Sequence, residues 1–396
     1  MMQQRLPARA TAGTPAHRAA LAAMLDRLPR VHAAVGDRFP LYADPVTGSW
    51  VSTRRGSWVG GFWAGLRWLG AAVHDDPTSR AAAAALTDRL AARAGDDTVT
   101  RAMTFWYGAA GTGGRLCRDP AADRVAAVGA RALADSFDAT HGVFPVGSAF
   151  GGPPRPRVGI DALAAVVSLL CWADGPSTDD GPSTGLGGAG GGGPYRRLAG
   201  RHARTCARLL VADDGQVLAE RDLPAGQAPS PRAEVWSRGQ AWGMLGFAVA
   251  ADRLGDDFTD VARRTTDWWL AGTGAGPATE AGPATGTGAR PATARTPPAV
   301  FGRAGAPVDT SAAAIAAAAL WTLGGQPHPW AARYRQAAVD TVDGLLAEHL
   351  AADGALRGGC YDLAGDVACR HELIWGDYFL AAVLAVACDA VPQVAW

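Results

Sequence analysis

The chain of 396 residues contains no lysine; its 37 basic side chains are all arginines, and 37 acidic ones balance them to a formal charge of zero. The arginines are scattered rather than clustered, which argues against nucleic acid as a partner. The bias toward Arg, Ala and Gly reads as GC-rich coding and carries no function. The opening MMQQRLPARATAGTPAHRAA lacks an apolar core. No stretch reaches the ~20 uninterrupted apolar residues of a membrane span either. The expectation is a soluble cytoplasmic protein with no membrane partner. Six cysteines (Cys117, Cys171, Cys206, Cys360, Cys369, Cys388) form no CxxC pair, and the eight histidines show no metal-ligand spacing. Neither a disulfide framework, a metal site nor a cofactor is therefore expected. A GxSxG elbow, a P-loop and a Cys/His constellation are also missing, which sets aside serine-nucleophile and kinase chemistry. One formal GxGxxG match, Gly185 to Gly190, has no strand before it and only glycine and proline after it, so it does not read as a nucleotide site.

What is present suits a large core: 48% of residues are hydrophobic and only 19% charged, a composition that folds. Helical periodicity and breakers predict twelve helices, near 15–35, 57–74, 77–95, 99–112, 119–138, 158–173, 195–213, 235–253, 256–271, 308–323, 328–350 and 372–390. No strand run competes with them. Leu21, Met24, Leu25, Leu28 and Val31 give the first helix one apolar face, whereas Ala312 to Leu323 is apolar nearly all round and belongs inside. Connections alternate between short ones, such as His74 to Pro77, and long ones that lead into each even-numbered helix. That alternation predicts an all-α fold, an (α/α)6 barrel of six helical hairpins, as a single domain over 1–396. Low-complexity insertions near 174–194 and 272–298 are expected to be flexible excursions.

The unusual residues gather where the even-numbered helices begin, on the end that carries the long loops. Trp58, Phe62 and Trp63 open the second helix, Trp106 lies on the fourth, and Arg157 and Asp161 precede or begin the sixth. Trp236, Arg238, Gln240 and Trp242 open the eighth, Asp309 and Ser311 the tenth, and Trp375 and Asp377 the twelfth. Indole faces stack on the C–H surface of a sugar, while Arg, Gln and carboxylates clamp hydroxyls or an anion. The expected ligand is a small saccharide or glycosylated metabolite, against the alternative that single tryptophans are core wedges. Asp161 is expected in the first turn of an otherwise apolar helix. Desolvation there would raise its pKa toward that of a general acid, while the helix N-terminus and nearby arginines would oppose it. The residue reads equally as a carboxylate complementing the helix dipole. Asp309 and Asp377 admit the same two readings.

Four motifs in order carry a family resemblance: Trp58-Val59-Gly60-Gly61-Phe62-Trp63-Ala64-Gly65, Trp236-Ser237-Arg238-Gly239-Gln240-Ala241-Trp242-Gly243, Asp309-Thr310-Ser311-Ala312-Ala313, and Ile374-Trp375-Gly376-Asp377-Tyr378. On these the chain resembles the unsaturated glucuronyl hydrolases, glycoside hydrolase family 88 with its neighbour family 105. The resemblance implies an (α/α)6 barrel and an enzyme that adds water across the C4–C5 double bond of an unsaturated uronic acid, with no glycosyl-enzyme intermediate. It also implies that Asp161 is the acid and base. Two departures stand out. Ala102 occupies the place of a second family aspartate, and no histidine occurs in the loop before Arg238. Three functions stay open at this point. One is a divergent unsaturated-uronyl hydrolase. Another is a barrel recruited to a different proton transfer, such as elimination, isomerisation or cyclisation in specialised metabolism. The third is a non-catalytic sugar-binding protein.

Overall fold

The computed structural model describes residues 13–149, 156–175, 193–274, 296–392 and 396. The chain enters α1 (Pro15–Asp26) through a capping box: the His17 N–H donates to Thr14 Oγ1 at 3.2 Å, and the Thr14 N–H donates to His17 Nδ1 at 3.4 Å. The single helix expected over 15–35 breaks at Arg27, because Pro29 has no N–H to continue the helical ladder, and restarts as α2 (Leu28–Val35) with that proline in its first turn. Helix α3 (Gly60–His74) turns into α4 (Pro77–Leu90) through two residues. Asp75 takes the left-handed conformation, and Asp76 accepts the N–H groups of Thr78 and Ser79. There follow α5 (Arg101–Phe105), α6 (Pro120–Asp135), α7 (Leu163–Ala173), α8 (Pro194–Leu210), α9 (Ser237–Leu254), α10 (Thr259–Gly272), α11 (Thr310–Leu323), α12 (Ala331–Glu348) and α13 (Ile374–Ala387).

The fourth expected helix departs from regular geometry. After α5 the chain continues as a π-helix over Trp106–Gly114, in which the Arg115 N–H reaches five residues back to Ala110 O at 2.9 Å. Close approach to α3 accompanies the widening. A Cβ on Gly61 would stand 2.6 Å from Met103 O, and one on Gly108 would stand 2.9 Å from the Gly61 Cα, so backbone packs directly on backbone.

Helices α3, α5 with its π extension, α7, α9, α11 and α13 touch in that order, and α13 returns to α3 to close the ring. Outside it, α4 packs on α3, α6 on the π-helix, α8 on α7, α10 on α9, α12 on α11 and α1 on α13. This is the (α/α)6 barrel. The inner helices are buried on every side, as the unbroken buried stretch Thr310 to Leu320 shows, and side chains from inner and outer rings meet in one apolar cluster. Among the described residues no helix is long and apolar enough to cross a membrane.

The expectation of no strands is corrected. Seven short ones occur among the described residues: β1 (Phe39–Ala43), β2 (Trp50–Thr53), β3 (Arg157–Gly159), β4 (Glu220–Asp222), β5 (Val235–Trp236), β6 (Val300–Phe301) and β7 (Glu372–Leu373). They pair antiparallel in the orders β2-β1-β7, β3-β4 and β5-β6. At two to five residues each they are too short to leave an alternating pattern in the sequence. Strands β3, β5 and β7 lie immediately before α7, α9 and α13, so the ladders stitch the long loops into a rim around the inner helix starts. Most of the two low-complexity insertions, including residues 185–190, lies outside the described residues.

Candidate active site

On that rim, aromatic rings from distant parts of the chain converge. Trp58, half-buried just ahead of α3, has its ring centroid 4.7 Å from that of Trp375 in the first turn of α13. Tyr361 stacks on Trp58 at 6.4 Å and 14°, and accepts a 3.5 Å hydrogen bond from Trp58 Nε1. Tyr42 of β1 extends the wall, 5.9 Å from Tyr361. The Arg238 guanidinium lies 4.7 Å from the centroid of half-buried Trp236 and 5.5 Å from that of Trp375, held between two indole faces. Sequence reasoning missed both tyrosines. Neither lies in a helix-opening motif; Tyr361 reaches Trp58 only because the loop before α13 folds back as a hairpin, with Gly359 paired to His371 and Asp362 to Val367.

Arg238 is fixed from several directions. Its Nη1 donates to Asp309 Oδ2 at 2.9 Å and to Cys360 O, and its Nη2 donates to Tyr361 O at 2.5 Å. Asp309, fully buried, caps α11. Its Oδ1 accepts the Ser311 N–H at 3.0 Å, the Ser311 hydroxyl at 2.6 Å and the Cys360 N–H at 3.2 Å. Asp309 and Ser311 thus spend their polar atoms on scaffolding and on Arg238. Three of the five guanidinium N–H donors are engaged in these bonds, which leaves two.

Asp161 stands in the turn just before α7 rather than in its first helical turn, as the sequence suggested. The backbone behind it is anchored by Ile160 N–H to Ala219 O at 2.9 Å. The residue keeps a partial opening to solvent, but its Oδ1 is buried without a hydrogen-bond partner. Desolvation pushes its pKa up to about 7; the Arg238 charge pulls it down, and Glu220 pushes it further up. Glu220 lies across the β3–β4 ladder from Gly159, and Arg157 holds it with a 2.6 Å ion pair. Arg157 therefore spends its charge on Glu220. No local pattern marks Glu220, since its nearness to Asp161 depends on strand pairing between residues some sixty positions apart.

Other candidates are buried in the packing behind this rim. Gln240 is fully buried: its Oε1 accepts the Val217 N–H at 2.8 Å, and its Nε2 donates to Gly215 O at 3.0 Å and Thr265 O at 2.9 Å. It has no polar atom left for a ligand, which corrects its assignment to substrate binding. Phe62 stacks on Tyr107 at 4.7 Å, and Trp242 lies 6.3 Å from Phe62 and edge-on to Phe379 at 5.5 Å. Trp63 and Trp106 are fully buried against Arg67 and Arg253. These four aromatic rings are core. An inner helix turns 100° per residue, so only one or two positions per first turn reach the rim, and motif neighbours enter the packing. Asp377 accepts the Leu356 N–H at 3.2 Å and stands beside Glu372 and Arg27; burial holds its pKa well above the usual carboxylate range. Ala102 is fully buried and brings no functional group.

Beside Trp236 a cavity of about 240 Å³ is lined by Val217, Ala219, Arg232, Val300 and Arg303, among others. A larger one lies at the other end of the barrel and shares no residue with this site.

No family model matches the chain. In sequence it is similar to the unsaturated glucuronyl hydrolase of Bacillus sp. (strain GL1), 28% identical over 373 residues that span 88% of this chain and 90% of that protein. In structure it is similar to UGL with dGlcA-Glc-Rha-Glc (TM-score 0.79, 24% identity, 96% of this chain and 98% of the other). It is also similar to the unsaturated glucuronyl hydrolase from Streptococcus agalactiae (TM-score 0.78, 18% identity, 98% and 95%). At these identities the structural likeness speaks for the barrel.

Proposed function

Because the chain is a divergent relative of the unsaturated glucuronyl hydrolases along most of its length, we propose that it is a glycoside hydrolase releasing an unsaturated uronyl sugar by hydration, with Asp161 as acid and base. The observation that carries this reading is a rim carboxyl with its pKa pushed up to about 7 beside a fixed arginine. Near neutral pH such a group is poised both to give and to take a proton. Neutral Asp161 donates its proton to C4 of the C4–C5 double bond. The positive charge that develops at C5 is shared with the ring oxygen. Asp161, now a carboxylate, takes a proton from the water that adds at C5, and so returns to its starting state. The hemiketal opens and the aglycone leaves as an alcohol, with no covalent enzyme intermediate.

The two remaining Arg238 donors suit the uronate carboxylate, and half-buried Trp58 and Trp236 supply apolar faces for the sugar ring, with fully buried Trp375 packed behind them. Ala102 removes the family's second aspartate; Glu220 is a neighbouring negative charge that favours a protonated Asp161. Hydration needs no second nucleophile, so one carboxyl suffices. Incubation with a 4,5-unsaturated uronide should abolish the ultraviolet absorbance of its double bond, and Asp161→Asn should stop the decay while saccharide binding persists. No decay at high protein concentration sinks the hydration reading. Saccharide binding without turnover would make the rim a binding site alone.

A further inference from the structure

Arg67 lies midway along α3, on the side of the cavity that Gly70 and His74 line further along the helix, and is only 5% exposed. No hydrogen bond ties its guanidinium to any described residue, and its Nε is buried without a partner. A buried guanidinium is costly unless its donors are met, so an unpaired one in a folded chain calls for an acceptor. Its ring neighbour is Trp63, with the centroid 5.8 Å away. Its other neighbour is a cavity of about 300 Å³, with walls from Leu25, Leu28, Pro29, Gly70 and His74.

The charges around the cavity leave this cation unanswered. Asp76, at the cavity edge, gives its oxygens to the Thr78 and Ser79 N–H groups as the cap of α4. Asp26 faces His74 at 3.5 Å. His32 of α2 is close enough to Arg67 for the two to repel, and its Nδ1 is also buried without a partner. Burial lowers the pKa of Arg67, with Asp76 acting weakly against it. The Arg67 guanidinium therefore faces two acids, each already engaged, across an apolar floor.

We propose that this cavity binds a small organic carboxylate, whose charged end takes the Arg67 donors and whose apolar body lies on Leu25, Leu28 and Pro29. A planar guanidinium fork matches a carboxylate in geometry, and the volume suits a ligand of about ten heavy atoms. The site is independent of the rim chemistry, since it shares no residue with it.

Calorimetric titration with benzoate, and with benzamide as its neutral isostere, tests the assignment without any activity assay. Benzoate should bind one to one and at least about tenfold more tightly than benzamide, the scale of hydrogen bonds to a charged group. Arg67→Met should weaken benzoate by about tenfold or more, and Arg67→Lys, which keeps charge but loses the fork, by less. If Arg67→Met fails to fold, Gly70→Ala replaces it: the added Cβ meets Leu28 Cδ1 at 3.2 Å and should narrow the cavity, weakening benzoate with charge unchanged. No benzoate binding, equal binding of benzamide, or unchanged affinity in these variants would overturn the proposal; in the last case the ligand would be sitting at the Arg238 rim instead.

Discussion

Replacing Glu220 with glutamine should move the pH dependence of turnover to lower pH, because it removes the negative neighbour that favours the proton on Asp161. With a pKa of about 7, Asp161 is half protonated at neutrality. The protonated share falls to about a tenth at pH 8 and about a hundredth at pH 9. A carboxyl at its ordinary 3.8 would be protonated in fewer than about one molecule per thousand at pH 7. The kcat/KM for a 4,5-unsaturated uronide, measured from pH 5 to 9, should therefore have a descending limb centred near the Asp161 value. A partly solvated neighbouring charge shifts a pKa by about half a unit. Glu220→Gln should thus lower the rate at pH 8 to about a third while leaving the rate at pH 5 unchanged. A limb that stays in place in Glu220→Gln, or a rate that holds to pH 9, would refute the reasoning. The sign for stability is fixed by the same shift. A carboxyl with its pKa raised on folding adds stability below its unfolded value, and that contribution is lost as pH rises through about 7. Asp161→Asn should therefore melt higher than wild type at pH 8, with the advantage shrinking toward pH 5.

Gln240→Ala should lower stability by about 3 kcal/mol, since it strands the Val217 N–H and the Gly215 and Thr265 carbonyls in the core; chemical denaturation reads this, and an unchanged midpoint would argue against the scaffold role. Trp58→Ala should raise KM about tenfold with little loss of folding stability, because the ring is only half-buried; an unchanged KM would remove it from the sugar site. His202 is fully buried and neutral, and burial lowers its pKa to about 3 from 6.5. Its contribution to stability should be lost as pH falls below 6.5, where the unfolded imidazole gains its proton first. His202→Gln should flatten the acid side of the melting curve, and an unaltered slope would count against that assignment.

Among the described residues all thirteen α-helices lie, to within one residue, inside the twelve segments that periodicity predicts, two of them sharing the first segment, which splits near Pro29. Helix formation is decided by residues three and four apart, which any stretch of sequence displays. The ring itself followed from the alternation of loop lengths and from inner helices such as α11, which are apolar on every face. Asp161, Arg238, Trp58, Trp236 and Trp375 were likewise marked by their positions at helix starts. The same rule drew in Gln240, Trp242, Phe62, Trp63 and Trp106, because a motif records which residues occur together along the chain and not which way each one points. The short rim strands left no trace, since two or three residues cannot show a period.

The amino-acid sequence by itself determined the helices, their inner or outer place and the end of the barrel where the candidate site residues gather, because each depends on near neighbours along the chain. Only the tertiary structure decided which side chains meet there. Tyr361 lies on Trp58 and Asp309 on Arg238 because the ring closes and its long loops fold back. Glu220 stands near Asp161 through strand pairing, and Gln240 is withdrawn into backbone hydrogen bonds. Contacts between residues tens to hundreds of positions apart are set by packing and closure, and no local pattern encodes them.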